Sequence, residues 1–394
     1  MSESYYVKDD EAGIEESAVI AAQKNFAAGN YENALKIYND LLSMSVDARL
    51  YFETAMCYYK LKRDDEAIEH YKKALSLGLK SPLVCSYLGN IYYRRNDLTN
   101  AIQYWHLSRY RGPEDESVCL NLAIAYFSKK MYFEAITYYE LYLKYATDRT
   151  SKTYKEINRN MNNYFTQAND YNIKGEKAEF AGDIVTAKTC YLYAAKKYPV
   201  MYSPNYNLGK LYFEAGNMEN ALLFLKQAYK IDRGNKQLLL MIGDCYDALK
   251  QYSYAYCFYK RYLNKSISNQ SDYLIGSKRM SKASMMITES IKEMHIQKAE
   301  EYKNNSDFYG ALEEYENCVL LNSNDEVKYI DLINDMKLHV DPETPLIKTY
   351  LDKGADMKRQ NNFKEANKYY TKVMKLSNPQ SQEYRLAKSG LSNV

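Results

Sequence analysis

Long apolar runs are missing from this chain, and no uninterrupted stretch approaches the roughly 20 residues that a membrane-spanning helix requires. The first sixteen residues carry Asp9, Asp10, Glu11, Glu15 and Glu16 and no apolar segment. An ordinary secretory signal is therefore not expected at this end, and a soluble, cytoplasmic protein with an acidic tail over residues 1–14 is. Net charge is almost absent too, with 53 Lys+Arg against 50 Asp+Glu, so no global attraction draws the chain to nucleic acid or acidic membranes. Histidine is scarce: His70, His106, His295 and His339 lie far apart, none with a second His or Cys at metal-ligand spacing. There is no glycine-rich phosphate loop, nucleophile elbow or HExxH, and scattered carboxylates read as solvated helix faces. The expectation is no enzyme, no cofactor and no metal. Seven cysteines (Cys57, Cys85, Cys119, Cys190, Cys245, Cys257, Cys318) stand apart in sequence and read as small buried hydrophobes in a reducing compartment, not as a disulfide or zinc framework.

What the chain does have is a period. An alanine recurs at Ala34, Ala67, Ala101, Ala135, Ala187, Ala221, Ala255, Ala311 and Ala366, at spacings of 33, 34, 34, 52, 34, 34, 56 and 55 residues. In all but the sixth case an aromatic follows four residues later: Tyr38, Tyr71, Trp105, Tyr139, Tyr191, Tyr259, Tyr315 and Tyr370. Twelve residues before each alanine stands a small residue, Ala22, Ala55, Gly89, Ala123, Gly175, Gly209, Gly243, Ala299 or Gly354. Two antiparallel helices cross closely only where small side chains meet, so the small residue is expected against the alanine. A Tyr nine residues before the alanine, as at Tyr58, Tyr92, Tyr126, Tyr212, Tyr246 and Tyr302, would fill the space beside the crossing. Between the helices lie Gly29-Asn30, Asn96-Asp97, Gly182-Asp183, Gly216-Asn217, Ser306-Asp307 and Asn361-Asn362, residues that tolerate left-handed backbone or cap a helix. Pro113 and Pro199 stand where a helix should stop. Tyrosine, at 44 residues against 11 Phe and 1 Trp, supplies most of the packing aromatics.

These positions resemble the tetratricopeptide repeat (TPR) family. The best single stretch is Asn205 to Asp232, where Leu208, Gly209, Tyr212, Ala221 and Ala228 fall on the family's signature positions. The resemblance implies an all-α, right-handed superhelix of about nine helix-turn-helix repeats acting as a protein-binding scaffold or adaptor.

The long spacings carry a second pattern: Tyr154/Met161, Tyr273/Met280, Tyr329/Met336 and Tyr384/Leu391, each pair on one helical face. They predict an extra capping or spacer helix after repeats four, seven, eight and nine. The expected organisation is repeats one to four plus an extra helix over 15–166, repeats five to seven plus one over 167–285, repeat eight plus one over 286–341, and repeat nine plus a C-terminal helix over 342–394. Breaks are expected near 147–151, 264–272, 322–325 and 341–345.

The family resemblance also implies that the first helix of each repeat lines a groove. On that basis the candidate partner-binding residues are Phe52, Met56 and Tyr59 in repeat two, Tyr87, Asn90 and Tyr93 in repeat three, Leu120, Asn121, Ile124 and Phe127 in repeat four, and Asn207 in repeat six. Asn90, Asn121 and Asn207 would hold a ligand's backbone and the aromatics would anchor its side chains. The basic residues of the family's carboxylate clamp are missing in every register, with Glu53 in one of those slots. Asp244, Asp247, Glu293 and Glu300 make the C-terminal groove acidic, open to a second, basic ligand. An alternative is nucleic-acid binding by the Tyr-rich basic stretch 250–282, with Lys250, Tyr252, Tyr254, Tyr259, Lys260, Arg261, Tyr262, Lys265, Lys278, Arg279 and Lys282. It is disfavoured because Tyr259 and Tyr262 fall on a buried stripe. A peptide-sensing regulator is a third reading, and self-association stays open.

Overall fold

The computed structural model describes residues 6–112, 114–266, 271–287, 289–321, 326–340, 344–359, 363–376 and 382–391. Among these residues there are 21 helices and no strand. The first six are α1 (Tyr6–Ala27), α2 (Tyr31–Met44), α3 (Ala48–Lys60), α4 (Asp64–Ser76), α5 (Pro82–Arg94) and α6 (Leu98–Arg111). Then follow α7 (Glu116–Ser128), α8 (Tyr132–Tyr145), α9 (Lys152–Phe180), α10 (Ile184–Lys197), α11 (Tyr202–Glu214) and α12 (Met218–Ile231). Next come α13 (Lys236–Ala248), α14 (Tyr252–Asn264), α15 (Ser271–Ser284), α16 (Glu289–Asn304), α17 (Phe308–Leu321) and α18 (Glu326–Val340). The last three are α19 (Thr344–Arg359), α20 (Phe363–Leu376) and α21 (Gln382–Gly390). The chain divides into two compact bodies, Met1–Glu114 with Pro345–Val394, and Asp115–Thr344.

The all-α repeat architecture is as expected, and at the crossings that carry a glycine the nearest side chain is not the alanine but the one four residues after it. All nine marker alanines are fully buried. The glycine twelve residues earlier lies under the side chain four residues after the alanine. A Cβ on Gly89 would stand 2.5 Å from Trp105, on Gly175 2.7 Å from Tyr191, on Gly209 2.7 Å from Leu225 and on Gly243 2.5 Å from Tyr259. The missing Cβ is thus replaced by a ring or a leucine, which explains the aromatic in the repeat better than an alanine-to-small contact does.

The turns follow one rule. The residue five before the alanine has positive φ in repeats one to eight: Gly29, Lys62, Asn96, Lys130, Gly182, Gly216, Lys250 and Ser306. The next residue caps the second helix through its side chain at Asp97, Asp183, Asn217 and Asp307. Asn361-Asn362 and Pro113 lie outside the described residues, as do the expected breaks at 267–270, 322–325 and 341–343.

The extra helices are present. The one after repeat four is continuous with the first helix of repeat five, giving the 29-residue α9, inside which residues 166 and 167 fall. Met161 is buried on it, and Tyr329 and Met336 are buried on α18. Tyr273 and Met280 of α15 pack on the core of the α11–α14 repeats. Leu391 is different: it follows the last residue of α21 and is exposed. All seven cysteines are free and buried, and no helix among the described residues is long and apolar enough to cross a membrane.

Candidate functional site

In the first body, Phe52, Met56 and Tyr59 repeat at four and then three residues along α3, which places them on one face. A chain of rings crosses from α3 to α5: Phe52 to Tyr71 at 6.0 Å, Tyr71 stacked on Tyr87 at 5.8 Å, and Tyr87 to Tyr59 at 4.9 Å between centroids. The Arg94 guanidinium lies 4.5 Å over the Tyr59 ring and pairs with Asp64. Asn90 accepts a hydrogen bond from the Trp105 indole at 3.1 Å, so its carboxamide helps seat α6 on α5. Tyr93 leans on the same Trp105, centroids 5.6 Å apart, while remaining 41% exposed.

Glu53 lies among these rings. It neighbours Phe52 in sequence, and its charge is felt at the hydroxyls of Tyr38, Tyr71 and Tyr87. Burial pushes its carboxyl pKa above the usual range.

In the second body, Leu120, Asn121, Ile124 and Phe127 share a face of α7, with Ile124 and Phe127 exposed. Phe127, 57% exposed, meets Tyr132 of α8 edge-on at 5.5 Å. Asn207 of α11 lies near the Tyr191 hydroxyl of α10, which donates to Glu179 at 2.8 Å.

The second body also holds a charged network that the sequence reading missed. Lys226 and Lys230, one turn apart on α12, and Arg233, in the turn that follows it, form a basic group. They meet carboxylates from distant segments: Lys226 to Glu313 at 3.0 Å, Lys230 to Glu134 at 3.1 Å, and Arg233 to Glu316 at 2.7 Å. Arg261 of α14 reaches the same Glu316 at 3.3 Å. Glu314 accepts from the Tyr254 hydroxyl at 2.7 Å and lies 2.6 Å from Nδ1 of the fully buried His295, whose Nε2 is 3.0 Å from the Ser253 hydroxyl. Burial opposes the charge of Glu313, but Lys226, Arg261 and Arg233 outweigh it and hold the carboxyl below its ordinary range. The acidic stripe of α17 therefore docks on the second helices of repeats six and seven. A cavity of about 70 Å3 remains beside it, lined in part by Lys230, Arg233 and Tyr309. The Glu-Glu-Tyr-Glu run at 313–316 was the available signal, and in one sequence it reads as a solvated face.

Part of the basic stretch is taken up by contacts within the chain. Lys260 donates to the Leu320 carbonyl at 2.7 Å, Arg279 pairs with Asp244 at 2.9 Å and Lys282 with Asp247 at 2.9 Å. Tyr254, Tyr259 and Tyr262 are buried. Two of the four acids assigned to a C-terminal groove are thereby matched by α15, and Glu300 accepts from Tyr315. Among the described residues no cluster of three or more His, Cys, Asp or Glu could hold a metal ion.

Two sequence models of the tetratricopeptide repeat match the chain, one at residues 48–78, covering α3 and α4, and one at 202–235, covering α11 and α12. The chain carries tetratricopeptide repeats. This TPR chain is 25% identical over 246 residues to the BBSome complex member BBS4 of Bos taurus, an alignment covering 62% of this chain and 43% of that protein. The chain thus spans less than half the length of that relative. Among solved structures, the TPR domain of P58(IPK) shares 12% identity at a TM-score of 0.36, covering 88% of this chain and 97% of that one. The TPR2AB-domain:pHSP90 complex of yeast Sti1 shares 16% identity at a TM-score of 0.29, covering 69% and 99%.

Proposed function

We propose that this TPR protein is an interaction scaffold or adaptor that captures peptide or protein segments on the first helices of its repeats. The observation that carries the reading is the aromatic face of α3 and α5, where Phe52, Tyr59 and Tyr87 are only partly buried and Tyr93 is exposed. Large rings left at a surface, held rigid by their neighbours, are what a binding face uses to gain affinity at low entropic cost. The α7 face with Ile124 and Phe127 is a second surface of the same kind, with Asn121 as its polar group. The bovine relative's membership of the BBSome complex is consistent with a scaffold.

The test is selection of ligands from a random peptide library on the purified chain, followed by affinity measurements on variants. Tyr59→Ala with Tyr87→Ala, and separately Asn121→Ala with Phe127→Ala, should each weaken a class of selected peptides at least about tenfold while circular dichroism stays unchanged. Selected peptides whose affinity is indifferent to both pairs would remove these faces from consideration.

A further inference from the structure

The aromatic face of α3 and α5 has one feature that a general peptide-binding surface does not need. Glu53 is partly buried among rings, and neither an ion pair nor a hydrogen bond to its side chain forms among the described residues. The neighbouring arginines are committed elsewhere, Arg63 to Glu66 at 2.7 Å, Arg94 to Asp64 and Arg95 to Asp65 at 2.7 Å. Arg49, one turn earlier on α3, is exposed and makes no ion pair with it. The Tyr38 and Tyr71 hydroxyls, which sense the Glu53 charge, are themselves buried without a hydrogen-bond partner.

An uncompensated carboxylate inside an apolar wall is costly, and the cost is relieved when a cation joins it. The surrounding rings add to that relief, because ammonium and guanidinium groups are attracted to aromatic faces. Arg94 over Tyr59 shows one such ring already holding a guanidinium. Charge complementarity therefore selects the occupant, and it is the opposite of the acidic tail that a carboxylate clamp would take.

We propose that the α3–α5 face receives a lysine- or arginine-bearing segment of a partner protein, with Glu53 as counter-ion and Phe52, Tyr59 and Tyr87 as the walls around the basic side chain. This rests on the reading of that face as a peptide-binding surface. Glu53 occupies the repeat position that Asn121 and Asn207 hold in repeats four and six, so repeat two exchanges an amide for a charge at the same place in the unit.

The experiment starts from peptides selected on the full-length chain and sensitive to Tyr87→Ala. Each is remade with its basic residue changed to glutamine, and fluorescence anisotropy is measured on wild type, Glu53→Gln and Glu53→Lys. The expected result is a Lys or Arg shared by the selected peptides and about a tenfold loss from either single change, with the two losses far from additive in the double-mutant cycle. Glu53→Lys should prefer the same peptide with Glu at that position. Glu53→Gln removes a buried charge and is expected to fold at least as well as wild type. Tyr87-sensitive peptides that lack a basic residue, or that bind Glu53→Gln as tightly as wild type, would overturn the assignment while leaving the binding face in place. Failure to select any Tyr87-sensitive peptide would overturn both.

Discussion

Replacing Glu314 with alanine removes the acceptor on which three donors of the second body converge. The Tyr254 hydroxyl at 2.7 Å, the His295 Nδ1 at 2.6 Å and the Asn317 side-chain nitrogen at 3.3 Å all lose it, in a place where the glutamate side chain is almost wholly buried. A hydrogen bond to a charged group contributes about 1.5–3 kcal/mol, and breaking a buried charged contact from one side costs about 3–5 kcal/mol in all. The three losses share one acceptor and do not add, so about 3–5 kcal/mol is the expected cost of docking α17 on α14. That corresponds to roughly two to four orders of magnitude in the population with α17 released. A repeat array need not unfold in one step, so a single melting temperature is a poor readout. Amide hydrogen exchange resolves the question by segment: protection of α16, α17 and the facing side of α14 should collapse, while α3 to α6 keep theirs. Protection of α17 left intact, or lost equally throughout the chain, would refute the claim that Glu314 fastens this helix. Adding His295→Ala and Tyr254→Phe should recover part of the loss, because the stranded donors then disappear.

Other consequences are open to direct measurement. Glu53 has its pKa raised by burial, so its charge opposes folding at neutral pH and that cost fades as pH falls through the raised value; Glu53→Gln should be modestly more stable near neutrality, with the gap closing in acid. Glu313 has the opposite sign: its depressed pKa gives stability that is present above the ordinary carboxylate range and lost as pH falls through the lowered value, so α17 should lose exchange protection in acid before α11 does. Lys130 has φ of 61° in the turn before α8, and Lys130→Gly should gain about 0.5–1 kcal/mol in denaturant unfolding of that repeat. Gly243→Ala puts a methyl 2.5 Å from the Tyr259 ring and should cost about 1–3 kcal/mol, seen as lost protection in α13 and α14.

The repeat, its turns and its buried alanines were legible because they recur: a position that must be small, or left-handed, or capping is stated several times over in one chain. Even so, the nearest side chain to Gly89 is Trp105 and not the alanine, since spacing gives the face a residue occupies and not which of two side chains on the opposite helix covers it. The fused α9 was hidden because Tyr154/Met161 and Gly175 each read correctly as separate helical patterns, and nothing between them breaks or continues a helix strongly. The α17 network escaped for a different reason. Lys226 and Glu313 are 87 residues apart, and long-range ion pairs leave no periodic trace. The basic stretch 250–282 was visible as composition, but what it faces, namely Leu320, Glu316 and Asp244, depends on a fold-back that local patterns do not encode.

The docked α17 is a tethered ligand, and tethering has its own arithmetic. A helix joined to its receptor within one chain competes there at an effective concentration set by the connection, here residues 265–307, with α15 and α16, between α14 and α17. Any free acidic helix with the same intrinsic affinity for Lys226 and Arg233 would have to reach that concentration before it took half of the sites. The second-helix face of repeats six and seven is thus closed to chance acidic helices by a sequence the chain carries itself.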